Sequence, residues 1–249
     1  MDAKHWDNLA ATFETEVMSS LHADKNRALE SAIKKYIRKK DHVADYGCGV
    51  GGFLPLLSKV AGKISACDFS VKCIDIAKLR FAGMKNIKFF VHDLTKPLKL
   101  KCDVAVAANV LISYQPEMLK QMLKTMTSTV KRGGYLIVVV PSMESSLFVY
   151  QKIMEIRISG GESIAKAKNY IDGKIKSDMI SLADGVVQVG SVPTKHYVGE
   201  EFESLLLQYK METVERKKLE YDWETELVNT PKNLKGPFPF DWMFVAKKK

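Results

Sequence analysis

Residues 43–52 read Val-Ala-Asp-Tyr-Gly-Cys-Gly-Val-Gly-Gly. Gly47, Gly49, Gly51 and Gly52 make a turn with almost no side chains, which lets backbone come close to a ligand. Val43 and Ala44 read as the end of a buried strand, and Leu54, Leu56, Leu57 and Val60 repeat at helical spacing behind the turn. Strand, glycine turn and helix together are a nucleotide-binding geometry, because the helix N-terminus offers unpaired N–H groups. Asp45 adds a carboxylate at the strand end. It would repel a pyrophosphate and attract an ammonium. Asp68 follows Gly47 by about 20 residues, at the end of a second apolar run (64–67), where an acid can accept hydrogen bonds from ribose hydroxyls. Ser70 is a better N-cap than Asp68 for the helix expected over 71–81. Further on, His196 and Tyr197 can each handle a proton, Lys195 beside them can bind an anion, and Tyr114 is another phenol.

Two ligand classes use such a turn, and the spacing alone does not separate them. Gly47, Gly49 and Gly52 satisfy G-x-G-x-x-G, the dinucleotide fingerprint, while Asp45, Gly47 and Gly49 satisfy an acidic-x-G-x-G pattern. The second pattern resembles the first motif of the class I S-adenosylmethionine-dependent methyltransferases, in particular their small-molecule members. The resemblance covers residues 40–142 and, more loosely, 190–247. It implies an α/β fold: a doubly wound, seven-stranded, mostly parallel sheet with the last strand antiparallel and a helical N-terminal lid. It also implies S-adenosyl-L-methionine as cofactor. On this resemblance Asp45 meets the cofactor ammonium, directly or through water, and Gly47, Cys48 and Gly49 form the turn beneath it. Asp68, with Phe69 beside it, takes the ribose. Asp93 reaches the adenine amino group, and the Leu94 N–H faces a ring nitrogen. Asn109 lies by the ammonium and the transferring methyl. The strand end Asn109-Val110-Leu111-Ile112 departs from the Asn/Asp-Pro-Pro-aromatic signature of DNA adenine and some protein-amide methyltransferases, which counts against that chemistry.

Those residues need elements to position them. Leu9, Phe13, Val17, Leu21 and then Leu29, Ile33, Tyr36, Ile37 predict two amphipathic helices before the first strand. In the resembling family such an extension folds over the cofactor, so Trp6 and Phe13 are candidates to cover the sulfonium, a cation that aromatic faces attract. Lys25 reads as a solvated lysine. Strands are expected at 87–91, 103–108 and 135–140. A helix over 116–131, carrying a Met and Leu stripe, is expected to end at Arg132-Gly133-Gly134. Residues 143–194 read as an insertion containing helices 143–158 and 163–175, the place where this class builds its substrate site. A helix over 200–209 and strands at 213–221 and 240–246 close the chain. The organisation is thus one domain: lid 1–40, cofactor-binding core 41–142, insertion 143–194, and C-terminal helix and strands 195–249.

Composition bounds the reading. The 249 residues suit one α/β domain, and an apolar fraction of 46% supports a core without suggesting a membrane protein. Cys48, Cys67, Cys73 and Cys102 lack zinc-like spacing and read as reduced, buried thiols. No cluster suggests a metal. Residues 1–8 are polar and of mixed charge, without a secretion-signal pattern, so a cytoplasmic location is expected. The net charge of +9 and pI of about 9.2 raise nucleic acid as a partner, but the lysines are spread and lack interleaved aromatics, so solvated faces are the expectation.

The expected activity is methyl transfer to a small-molecule N or O acceptor, by a monomer or homodimer. His196 is the first candidate base, with Tyr197 and Tyr114 as alternates. Protein or RNA acceptors remain the alternative within the class. Outside it stand an NAD(P)-dependent oxidoreductase, which would use the same glycines and Asp68, and a cofactor-binding partner protein without catalysis.

Overall fold

The computed structural model describes residues 3–13, 20–228, 230–231 and 234–249. In chain order the elements are α1 (Ala3–Leu9), α2 (Ala28–Tyr36), β1 (His42–Tyr46), α3 (Leu54–Val60), β2 (Lys63–Asp68), α4 (Val71–Arg80), β3 (Ile87–Val91), β4 (Cys102–Ala108), α5 (Pro116–Thr129) and β5 (Val130–Pro141). Then follow α6 (Met143–Ser159), α7 (Ile164–Asp178), β6 (Met179–Ser181), β7 (Val186–Val189), β8 (Val192–Lys195), α8 (Gly199–Gln208), β9 (Met211–Glu220) and β10 (Phe240–Lys248).

Seven strands form one sheet in the order β3-β2-β1-β4-β5-β10-β9. β1 to β5 pair in parallel, and β10 runs antiparallel between β5 and β9. This is the expected seven-stranded, doubly wound sheet. The antiparallel β10 distinguishes it from the all-parallel 3-2-1-4-5-6 order of the dinucleotide-binding fold.

The central strands are buried on both faces, and their apolar residues alternate between two cores. Val43, Val104, Val106, Ile137, Val139, Met243 and Val245 face one core, which α2 and α3 cover with Leu29, Ile33, Leu54 and Leu57. Ala44, Ala105, Ala107, Leu136, Val138, Phe244 and Ala246 face the other, covered by α5 and α8 through Leu123, Met126, Phe202 and Leu206. A side chain such as Phe202, with no exposed surface, stabilises the fold by about 1.5–3 kcal/mol through burial alone. Ser70 caps α4 by accepting the Cys73 N–H at 3.1 Å, and Pro116 opens α5 where its missing N–H costs nothing.

Three features differ from the sequence expectation. The helix over 116–131 stops at Thr129, and Arg132-Gly133-Gly134 lie inside β5, where Gly133 takes φ +75° and the pairing with β4 slips. The Gly-Gly pair therefore forms an irregularity in a strand, with no helix terminus at it. Residues 179–195, to which the sequence assigns no element, hold a second, three-stranded antiparallel sheet β6-β7-β8. Its strands have only three or four residues, too short to show a period in sequence. At the N-terminus the helix occupies Ala3–Leu9, ahead of the stretch predicted; Val17 in that prediction lies outside the described residues.

Candidate active site

β1 ends in Asp45 and Tyr46, and the chain turns at the carboxyl edge of the sheet through Gly47, Cys48 and Gly49. Gly47 and Gly49 sit at φ +63° and +51°, a region that favours glycine. A Cβ on Gly47 would lie 2.5 Å from Val110 Cγ2, and one on Gly49 would lie 2.7 Å from Phe13 Cζ. The turn is thus wedged between the loop after β4 and the N-terminal segment, and only glycine fits. The Cys48 N–H donates to the Cys67 carbonyl at 3.0 Å, which stitches the turn to β2. Cys48 itself is buried, and burial pushes its thiol up, so it is an inert core group.

Asp45 is 1% exposed, and among the described residues neither carboxylate oxygen has a hydrogen-bond partner. Burial, and then the nearby Asp68, push its pKa up to about 8. A buried carboxylate left unpaired is costly unless something cationic or N–H-bearing meets it. Its neighbour Asp68 is satisfied by backbone: the Gly49 N–H donates to Oδ2 at 3.0 Å and the Ser70 N–H to Oδ1 at 2.9 Å. Each oxygen keeps a further lone pair for a ligand hydroxyl. Asp68 therefore shapes the glycine turn as well as standing where a ribose is expected, a role the sequence did not reveal. Burial raises its pKa too.

Along the same edge, Asp93 is exposed just past β3, and its Oδ1 accepts the Thr95 N–H at 2.9 Å and hydroxyl at 2.8 Å. Leu94 is buried and Phe69 partly so. Trp6 and Phe13 lie with ring centroids 6.0 Å apart, and the Phe13 ring covers Gly49. Asp7 fixes this segment to α4 by accepting the Lys72 N–H at 3.2 Å.

Asn109, at φ +54°, ends β4 and donates its backbone N–H to Val139 at 3.0 Å. Its Nδ2 donates to Ser20 Oγ at 3.2 Å and to Asp241 Oδ2 at 3.3 Å, while Oδ1 is buried with no partner among the described residues. Tyr221 OH also donates to Asp241 Oδ2, at 2.8 Å. Burial outweighs these hydrogen bonds and pushes Asp241 up to about 7. Sequence reasoning missed Asp241 and Tyr221. The signal was an acid opening the last strand, and its meaning depends on β10 lying beside β5.

The three residues proposed from sequence to move a proton are placed differently from one another. Tyr197 is 1% exposed; its hydroxyl donates to the Leu111 carbonyl at 2.9 Å, and burial drives its pKa far up. That geometry holds the loop after β4 in place. Tyr114 is exposed in that loop. His196 is partly buried, with Nδ1 3.1 Å from the Thr194 carbonyl. A carbonyl only accepts, so Nδ1 carries the proton and Nε2 is the basic atom. Burial lowers its pKa, which keeps the ring neutral. Lys195, read from sequence as an anion site, is 7% exposed and committed to Glu201 at 2.6 Å and the Asp184 carbonyl at 2.8 Å. Lys25, read as solvated, ion-pairs with Asp222.

Residues 194–198 act as a strap. The Lys195 N–H donates to Ile112 at 3.0 Å, the His196 N–H to Gly185 at 2.7 Å and the Tyr197 N–H to Pro141 at 2.8 Å, while Met143 donates to Tyr197 at 3.0 Å. The strap ties the small sheet to the ends of β4 and β5. Among the described residues there is no cluster of His, Cys, Asp and Glu that could hold a metal ion.

Residues 43–134, from β1 into β5, match the family described as a methyltransferase domain. Over that stretch the chain is similar to a methyltransferase domain, and its fold is the Rossmann-like fold of the class I methyltransferases. The whole fold agrees. A SAM-dependent methyltransferase from Methanosarcina mazei superposes with a TM-score of 0.62 at 20% identity, covering 87% of this chain and 96% of that one. The N-methyltransferase NodS from Bradyrhizobium japonicum, solved with S-adenosylhomocysteine, gives 0.60 at 12%, covering 98% and 97%. The magnesium protoporphyrin IX methyltransferase of Synechocystis, also with S-adenosylhomocysteine, gives 0.53 at 17%, covering 99% and 83%. No curated protein sequence matches the chain. The glycine turn, Asp45, Asp68 and Asn109 all fall inside the matched residues.

Proposed function

We propose that the protein transfers the methyl group of S-adenosyl-L-methionine to a small-molecule N or O acceptor. The observation that carries this is Asp45: a carboxylate at the carboxyl end of β1, fully buried, with neither oxygen partnered, beside a turn of bare backbone. The α-ammonium of S-adenosylmethionine supplies what that carboxylate lacks. A dinucleotide pyrophosphate would instead place negative charge against it. Bound there, the cofactor supplies a methyl on a cationic sulfur, already activated for in-line displacement. The chain then has to hold the ammonium at Asp45, the ribose at Asp68 and the adenine by Asp93 and Leu94, and to exclude water with Trp6 and Phe13 as a lid. This is positioning chemistry.

A small acceptor is the reading of the insertion 143–194, whose helices α6 and α7 and small sheet follow β5 and run to the strap. The basic character does not call for nucleic acid. Lys34 pairs with Glu30, Lys35 and Lys217 with Glu215, Arg216 with Glu200, and Lys249 with Glu212. NodS, named an N-methyltransferase, and the protoporphyrin enzyme are folded alike and are named for such chemistry. Among the described residues no helix is long and apolar enough to cross a membrane.

Calorimetric titration with S-adenosylmethionine, S-adenosylhomocysteine and NADH tests the reading. Binding of the first two alone supports it. Binding of NADH alone would overturn it and turn the search to hydride transfer.

A further inference from the structure

On the acceptor side of Asn109 the side chains converge in a way the cofactor does not explain. Asp241 opens β10 opposite Pro141, one strand beyond β5, and its carboxylate reaches over the end of that strand to Asn109. Among the described residues, the side-chain donors that reach it, Tyr221 OH and Asn109 Nδ2, both end on Oδ2. Because Nδ2 must face this carboxylate, the orientation of the Asn109 amide is fixed, and Oδ1 is left buried and unpartnered. A hydrogen-bond acceptor without a donor therefore stands at the carboxyl end of β4, next to a carboxylate held ready by a phenol.

The charged groups around this pair are mostly acidic. Glu226 bears on Asp241 and on Tyr150, and Asp24 bears on Tyr221. Lys174, which bears on Glu226, is ion-paired with Asp178 at 2.8 Å. A cluster of acceptors and negative charge suits a ligand that brings N–H groups and positive charge. A carboxylate or a phenolate would be repelled.

Resting on the methyltransferase reading above, we propose that the methyl acceptor is an aliphatic amine, that Asp241 takes its proton, and that Asn109 Oδ1 receives a second N–H of the same nitrogen. The ammonium gives one proton to the Asp241 carboxylate, which becomes a carboxylic acid. The nitrogen lone pair then forms the N–CH3 bond as the S–CH3 bond breaks, and the sulfur keeps that electron pair as a neutral thioether. The product leaves as the methylated ammonium, and Asp241 returns its proton to solvent. Burial holds Asp241 near neutrality, where a carboxylate is basic enough for this exchange. His196 is the rival base, but its hydrogen bonds run to Thr194 and Gly185 of the small sheet and none reaches Asn109.

The test is methyl transfer from labelled S-adenosylmethionine to phenethylamine and spermidine, set against benzoate and 4-hydroxyphenylacetate. The variants are Asp241→Asn, Tyr221→Phe and His196→Gln, with cofactor affinity measured on each by calorimetry. The expected result is label in an amine, a kcat at least 100-fold lower in Asp241→Asn, and cofactor affinity within threefold of the parent. The pH profile separates proton transfer from structural support. In the parent, kcat/KM falls as pH drops below about 7. In Asp241→Asn the acid limb moves up toward the pKa of the free amine. If Asp241→Asn does not fold, Tyr221→Phe reads the same point, and its acid limb should also move. Label only in the acid or the phenol, no label in either amine, or an unmoved acid limb overturns the proposal, as does loss of activity in His196→Gln alone. Failure of S-adenosylmethionine to bind the parent protein strikes the methyltransferase reading instead.

Discussion

Replacing Asp45 with Asn should move two observables in opposite directions. The carboxylate is buried and unpartnered, and its pKa is about 8 in the folded chain against about 3.9 in an unfolded one. The folded state thus holds a proton that the unfolded state has released. The resulting destabilisation is absent below about pH 4, grows as pH rises, and levels off above about pH 8. At ~1.4 kcal/mol per pH unit it reaches a ceiling of about 4 kcal/mol at pH 7. Asn removes the titration but leaves a buried amide with a cost of its own, about 1–3 kcal/mol. The ligand-free variant should therefore gain about 1–3 kcal/mol, or roughly 2–12 °C in Tm for a chain of this size. Cofactor binding should weaken by about 1.5–3 kcal/mol, some 10- to 150-fold, because a charged hydrogen-bond acceptor is lost. Binding has a further signature. At pH 7 roughly nine in ten Asp45 side chains carry a proton that must leave when an ammonium arrives. Calorimetry in buffers of different ionisation enthalpy should show nearly one proton released per cofactor bound, and none in the variant. Affinity should rise from pH 6 toward 8, then fall as the α-amino group itself deprotonates. Equal affinity in a folded variant, or no proton release in the parent, would refute the assignment of Asp45.

Other substitutions probe separate parts of the site. Asp68→Ala should weaken S-adenosylmethionine binding by at least about 1.4 kcal/mol, tenfold, and also lower Tm, since the Gly49 and Ser70 N–H groups lose their acceptor; a normal affinity in a folded variant would mean the ribose lies elsewhere. Gly49→Ala forces a side chain to φ +51° and against Phe13, so cofactor affinity should drop at least tenfold by calorimetry, with a modest loss of stability. Tyr197→Phe removes a hydroxyl that supports the Leu111 carbonyl, so stability should fall by about 1 kcal/mol while the methyl-transfer rate stays within threefold; a rate loss beyond tenfold would restore Tyr197 as a proton carrier. At Glu215 burial raises the pKa, but hydrogen bonds from Lys217, Lys35 and Tyr36 outweigh it and hold the group near about 2. Its stabilisation is therefore full above about pH 4.5 and lost as pH falls toward 2. Acid unfolding monitored by circular dichroism should begin at higher pH in Glu215→Gln than in the parent.

The strand, glycine turn and helix around Asp45 were legible because their determinants are local. A glycine turn is written in consecutive residues, and an acid at a strand end needs only the strand beside it. Asp45, Gly47, Gly49 and Asp68 stand at the edge their spacing implied, and the strands carrying them alternate between two cores as their apolar residues do. The acceptor side was not legible, because its residues meet through topology. Asp241 and Asn109 are joined only because β10 enters the sheet next to β5. The Lys195-His196-Tyr197 triplet misled for the opposite reason. Residue types fit for proton transfer sat together in sequence, yet packing sent the phenol into the core and the ammonium to Glu201. The small sheet of 179–195 was invisible because strands of three or four residues carry no readable period.

The strap at 194–198 also sets the terms on which acceptor preference can be re-engineered. Its amides bind Ile112 and Pro141 on the core and Gly185 in the insertion, so the insertion is registered to the cofactor loop mainly through backbone, with the Tyr197 hydroxyl on the Leu111 carbonyl as the side-chain addition. Backbone hydrogen bonds are indifferent to side-chain identity. Residues 142–198 can therefore be exchanged as one unit for those of another enzyme, with the cuts after Pro141 and after Val198 so that the donor fragment brings its own strap. A chimera cut inside the strap would leave the loop after β4, and with it Asn109, without its tether.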